Sequence, residues 1–135
     1  MSTFTDAELA YLRGQRLLGR IATVGADGTP HIAPVGWSLD EAATVIEVSG
    51  RDFAATKKFR DVARTGRAAI VIDEVLPPWE PRGIEVRGFA EAVDHPSPRI
   101  RIHPTRIVSW GFDGATGGRT VPGVAGDRHE DPTRR

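Results

Sequence analysis

The stretch Thr44-Val45-Ile46-Glu47-Val48-Ser49-Gly50-Arg51-Asp52-Phe53-Ala54-Ala55-Thr56-Lys57-Lys58-Phe59-Arg60 sets a strand directly before a helix. Residues 44 to 49 alternate apolar and polar and are rich in β-branched side chains, which reads as a strand. Helical spacing from Phe53 to Arg64 puts Phe53, Lys57 and Arg60 along one face and Thr56, Phe59 and Ala63 along the adjoining one, so a helix is expected over about residues 53 to 64. The opening turn of a helix carries unpaired backbone N–H groups and the positive end of the macrodipole, and both favour an anion. Thr56, Lys57 and Lys58 add a hydroxyl and two cations near that end, an arrangement that suits a phosphate cradle. A solvated basic helix face is the competing reading.

Working outward, Thr5 and Glu8 stand at capping-box spacing ahead of an apolar pattern, predicting a helix over residues 6 to 13 that ends near Gly14. Leu17 to Val24 reads as a strand, and Asp27-Gly28 as the hairpin turn into a return strand from Pro30 to Ser38. Pro34 inside that strand calls for an edge or a bulge, since proline cannot donate to a ladder. Arg67 to Asp73 is a short buried-type strand, and Leu76 to Pro81 a loop holding three prolines and Trp79. Gly83 to Val93 alternates as a long strand. Arg99 to Trp110 forms the last, bulged or interrupted at Pro104. Beyond Gly111 the composition turns to Gly, Asp, Arg, Thr and Pro, too polar to fold alone. The expected division is therefore a domain over residues 1–112 and a flexible polar tail over 113–135.

Six short strands joined mostly by tight turns, with one helix inserted after the third, predict a mainly β, antiparallel six-stranded barrel with flanking helices. So small a barrel cannot hold a large ligand inside. A ligand would lie on its outer wall, with a second copy of the chain as the natural lid.

The 135 residues carry 18 basic and 18 acidic side chains, so no overall field steers the chain toward nucleic acid or acidic membrane. With no cysteine there is no disulfide, thiolate metal site or thiol nucleophile. The four histidines lack the spacing of a helical metal pair, and no metal site is expected. No apolar run approaches the ~20 residues of a membrane span, and no export signal is legible, so a cytoplasmic domain is expected. His31 and His103 are each isolated. The carboxylate pairs Asp40-Glu41 and Asp73-Glu74 fall at turns, where solvation is expected.

The paired strands from Leu18 to Trp37, the turn and helix from Ser49 to Val62, and the last strand Ile100 to Phe112 resemble the pyridoxamine 5'-phosphate oxidase-like split β-barrel superfamily. Within it the chain looks most similar to the actinobacterial branch that uses FMN or the deazaflavin coenzyme F420. The resemblance covers about residues 5 to 112. It implies an FMN-binding split-barrel fold, a homodimer, and a cofactor in the groove between subunits. By the same resemblance Thr56, Lys57 and Lys58 grip the cofactor phosphate, and the backbone of Pro34, Val35, Gly36 and Trp37 runs along the ring. The second strand, His31 to Trp37, lacks the arginine and lysine of true pyridoxamine phosphate oxidases, which argues against pyridoxal phosphate synthesis.

The activity implied is hydride transfer between reduced F420 and a small organic substrate. The alternatives are an FMN-dependent enzyme on the same fold, or a non-catalytic flavin, deazaflavin or haem binder. Arg51 would begin a basic rim for the charged tail of the deazaflavin. Trp79 and Trp110 are candidates to wall the groove, and Arg87 points either to solvent or into it.

Overall fold

The computed structural model describes residues 3–14, 17–112 and 115–121. Helix α1 spans Asp6–Gly14. The Thr5 N–H donates to Glu8 Oε1 at 2.9 Å and the Glu8 N–H to Thr5 Oγ1 at 3.1 Å, the reciprocal cap expected from the spacing. Strands β1 (Gly19–Val24), β2 (Pro30–Asp40) and β3 (Val45–Ser49) follow. Helix α2 spans Lys57–Thr65, and β4 (Arg67–Leu76), β5 (Glu80–Val93), β6 (Arg99–Phe112) and β7 (Ala115–Thr120) complete the order.

The antiparallel strands pair in the order β3-β2-β1-β4-β5-β6-β7, and β3 also pairs with β6. That last pairing closes β1 to β6 into the six-stranded barrel expected from the sequence. Its interior is filled. Ile21, Ile46, Ile70, Ile72, Ile84, Ile100, Ile102 and Ile107 are each less than 2% exposed. Alternation along each strand places these β-branched side chains on the inner face, where they pack well on a pleated surface.

The split lies in β2. Residues Pro30–Val35 pair with β1, whereas Gly36–Asp40 pair with β3 on the opposite side. Among the described residues the first half therefore has one edge without a strand partner, and Pro34 sits in that half. The bulge expected near Pro104 falls one residue later: Arg87 faces Arg106 and Gly88 faces Pro104, leaving Thr105 as the extra residue. Its hydroxyl donates to the Arg87 carbonyl at 3.2 Å. Glycine is required opposite the bulge, because a Cβ at Gly88 would stand 1.8 Å from the His103 carbonyl oxygen.

Other expectations change: Asp73 and Glu74, expected at a turn, lie in β4, where Glu74 accepts from Arg82 Nε at 2.8 Å. The helix expected over 53 to 64 is two elements, a 3₁₀ turn at Phe53–Ala55 and α2, separated by Thr56 in an extended conformation. Thr56 is the N-cap of α2. Its hydroxyl accepts from the Phe59 N–H at 3.3 Å and donates to the Phe53 carbonyl at 2.7 Å.

The polar C-terminal segment is ordered further than expected. β7 pairs with the second half of β6, beyond the reach of β3, and Val121 is 8% exposed against the core. Pairing through the backbone needs no apolar side chains, so composition alone did not reveal it. Of the expected tail, residues 113, 114 and 122–135 lie outside the described residues.

Candidate functional site

Helix α2 lies across β1 and β5, with Phe59 and Val62 buried beneath it. Its first two residues are Lys57 and Lys58, and its first turn holds no carboxylate. Cations at the positive end of a helix dipole are unfavourable by about 0.3–1 kcal/mol each, so their presence there asks for a compensating anion. The backbone N–H groups of these two residues have no acceptor within the helix, and Thr56 serves the third.

Beside that helix start, Lys57, Lys58, Thr23, His31 and Ala33 line a recess of about 100 Å³ against the unpartnered half of β2. Gly25 keeps it open, since a Cβ there would meet His31 Nε2 at 2.9 Å and Lys57 Nζ at 3.2 Å. Two ammonium groups, two open N–H donors and a volume too small for a tricyclic ring fit a phosphate group, and any ring attached to it would lie outside, along β2.

A buried carboxylate organises this end of the molecule. The Asp61 side chain is 1% exposed; it accepts from the Thr23 hydroxyl at 2.9 Å and lies 3.5 Å from Lys57 Nζ and 3.4 Å from Arg64 Nη1. Burial pushes the Asp61 carboxyl up, and the Thr23 hydroxyl with the Lys57 and Arg64 charges outweighs it, leaving the group below the usual carboxylate range. Arg64 also donates to the Val24 carbonyl. One carboxylate thus fixes two cations and β1, while Lys58 has no carboxylate partner among the described residues, its Nζ 5.5 Å from the centre of the Phe53 ring.

Lys57 and Lys58 therefore come together, joined by His31, which by sequence was only an isolated histidine. Thr56 stands next to them, its hydroxyl committed to the cap. Arg51 is exposed just before the 3₁₀ turn, and Arg60 is held by the Ala55 carbonyl at 2.7 Å. On β2, Pro34 and Gly36 are exposed, while the Val35 side chain is in the core at 7% exposure. Trp37 is half-buried and donates its indole N–H to the Leu17 carbonyl at 2.8 Å.

The remaining candidates lie elsewhere. Trp79, 74% exposed, is at the tip of the β4–β5 hairpin, whereas the recess adjoins the opposite end of β4, where Ala69 pairs with Ala22. Trp110 pairs with Gly83 toward that hairpin end, and Arg87 is forked onto Glu85 at 3.1 Å on the sheet exterior. Thr23 and Asp61 were missed by sequence reasoning. A signal existed for Asp61, four residues after Lys57 and three before Arg64 on one helix.

A closed six-stranded barrel, split in β2 and carrying an anion-fitting recess at the inserted helix, defines the class of split β-barrels. The sequence profile of the pyridoxamine 5'-phosphate oxidase family matches residues 4–110, and the chain belongs to that family. It is 43% identical over 122 residues to the 5a,11a-dehydrotetracycline/5a,11a-dehydrooxytetracycline reductase of Streptomyces rimosus, covering 82% of this chain and 85% of that protein. Among solved structures, an FAD binding protein from Mycobacterium smegmatis shares the fold with a TM-score of 0.60 at 23% identity, covering 78% of this chain and 93% of that one. An F420 reductase shares it with a TM-score of 0.55 at 21% identity, covering 72% of this chain and 93% of that one. Among the described residues no helix is long and apolar enough to cross a membrane, and no cluster of metal-ligating side chains occurs.

Proposed function

We propose that this chain is an F420-dependent reductase that delivers a hydride to a conjugated carbon–carbon double bond of a fused-ring substrate. The observation that carries the reading is the recess: two lysines at the positive end of α2, with no first-turn carboxylate, beside the half-open strand β2. The 43% identical relative, named for reducing two dehydrotetracyclines, supports the reaction type and suggests the substrate class.

A bound deazaflavin would supply a hydride for the electron-poor carbon of the double bond, with a proton required at its neighbour. The chain binds and orients. Lys57, Lys58 and their N–H groups would hold the phosphate, and the backbone of Pro34, Val35, Gly36 and Trp37, continuing the open edge of residues 31–33, would run along the ring. His31 is the imidazole at the recess wall. The working unit in this reading is a homodimer. Ile32, 69% exposed at the recess, is a surface that a second copy would cover, and only a second copy can bring Trp79 to it.

The test is titration with oxidised F420 and, separately, FMN, on wild type and on Lys57→Ala/Lys58→Ala. Each charge-assisted phosphate contact contributes about 1.5–3 kcal/mol, so the double variant should bind at least tenfold more weakly. Tight F420 binding followed by turnover of a dehydrotetracycline supports the proposal. Tight FMN binding alone moves the chain to the flavin-dependent class. Binding of neither removes the oxidoreductase reading.

A further inference from the structure

A second concavity, of about 330 Å³, lies on the outer face of β1, β4, β5 and β6 and touches the first only at Thr23. Its floor is small and apolar, with Ala22, Val24 and Ala69, and Arg67, Arg87 and Arg106 stand around it. The register explains the cluster. Ala22 pairs with Ala69, Ala69 with Arg87, and Arg87 with Arg106, which puts one row of side chains across four strands on one face. Arg67, two residues before Ala69, points to the same face.

Two like charges directly opposite on neighbouring strands are destabilising. Arg87 is forked onto Glu85 at 3.1 Å. Neither Arg67 nor Arg106 has a carboxylate partner among the described residues. Among the described residues, Arg67 and Arg106 are therefore two positive charges without a carboxylate partner around one groove, in a chain whose formal charge is zero. The volume lies at the lower end of the roughly 300–1,000 Å³ of small-molecule sites.

We propose that this groove is a second binding site, taking a small polycarboxylate whose carboxyl groups pair with Arg67 and Arg106 while its body lies on the alanine floor. Guanidinium forks match carboxylates in a bidentate manner, and the absence of bulky side chains beneath them leaves room for the body. The groove adjoins the Lys57/Lys58 recess at Thr23 but has its own charged groups, and the proposal stands whatever cofactor that recess takes. The carboxylates can belong to a flexible chain or to a flat ring, and the probes below separate the two.

Citrate, phthalate and acetate are titrated into the full chain at constant ionic strength, following backbone amide shifts. Saturable shifts confined to Val24, Ala69, Arg87 and Arg106 with citrate or phthalate, and absent with acetate, are expected. A stronger response to citrate marks a flexible chain as the source, and a stronger one to phthalate a flat ring. Arg67→Gln/Arg106→Gln should weaken binding at least tenfold, Arg67→Lys/Arg106→Lys should recover part of it, and Lys57→Ala/Lys58→Ala should leave it unchanged. Equal binding by the Gln variant, shifts centred on Lys57 and Lys58, equal responses to all three probes, or no shift would each overturn the proposal.

Discussion

Asp61 shows how one side chain can serve both stability and the site. Replacing it with Asn keeps an acceptor for Thr23 but removes the charge that holds Lys57 and Arg64. Those two cations are 49% and 41% exposed and relax into water, so Asp61→Asn should cost about 1–3 kcal/mol, read by urea denaturation. Because the folded carboxyl lies below its ordinary value of 3.8, its stabilisation is complete above that pH and is lost as the pH falls through the lowered value. The acid limb of the stability curve should therefore be shallower in Asp61→Asn than in wild type. Gly25 separates binding from folding. The atoms nearest to a Cβ there are the ends of the His31 and Lys57 side chains, which can move, so Gly25→Ala should keep its melting temperature within a few degrees while losing about tenfold in cofactor affinity. A large loss of stability instead would show that the recess is part of the core.

At the scale of elements, the C-terminal strand is latched through a charge. Glu8, which caps α1, is 1% exposed; it accepts from Ser109 Oγ at 2.7 Å and from Arg119 Nη1 and Nη2 at 2.9 and 2.7 Å. Arg119 also reaches the Thr3 carbonyl at 2.8 Å, so one guanidinium ties β7 to the chain's opening residues. Burial pushes the Glu8 carboxyl up, and hydrogen bonds from Arg119, Thr5 and Ser109 together carry it below its ordinary value of 4.5. Its stabilisation is present above that pH and disappears below the lowered value. Glu8→Gln should speed hydrogen exchange at Thr120 and Val121 while the amides of β4 and β5 keep their protection; uniform acceleration would mean that β7 and the barrel open as one unit. Opposite the bulge, Gly88→Ala drives a Cβ into the His103 carbonyl and should cost about 3 kcal/mol or more, or prevent folding, as a thermal melt would show. The capping box and the strand alternation were legible because they depend on residues three or two apart. The latch was not, because Glu8 and Arg119 are 111 residues apart in sequence.

For the whole molecule, the position of Trp79 is decisive. It is 74% exposed at the hairpin end remote from the recess, so Trp79→Ala should leave the stability of the isolated fold within about 0.5 kcal/mol. In the proposed homodimer it should lower turnover or substrate affinity, with sedimentation showing two copies. A monomer with full activity and an indifferent Trp79→Ala would remove both the dimer and the shared site. Much of the fold could be read in advance, including the six barrel strands, α1, the hairpin at Asp27-Gly28 and the irregularity at Pro104. Of the candidate site, Lys57 and Lys58 were legible as a cluster because they are adjacent and follow a strand. The division of the remaining candidates between the recess, the arginine groove and the hairpin end was not, since it depends on which end of each strand meets which neighbour.

The sequence by itself determined the six barrel strands, the capping box of α1 and the basic start of α2, all of which follow from local periodicity and the chemistry of neighbouring residues. Only the tertiary structure decided that Asp61 neutralises Lys57, that His31 faces it, that Arg67, Arg87 and Arg106 crowd one face, and that a polar terminal segment becomes a strand. The physical reason is register. Barrel closure brings together residues tens of positions apart, and a shift of one residue would have turned each of them to the opposite face.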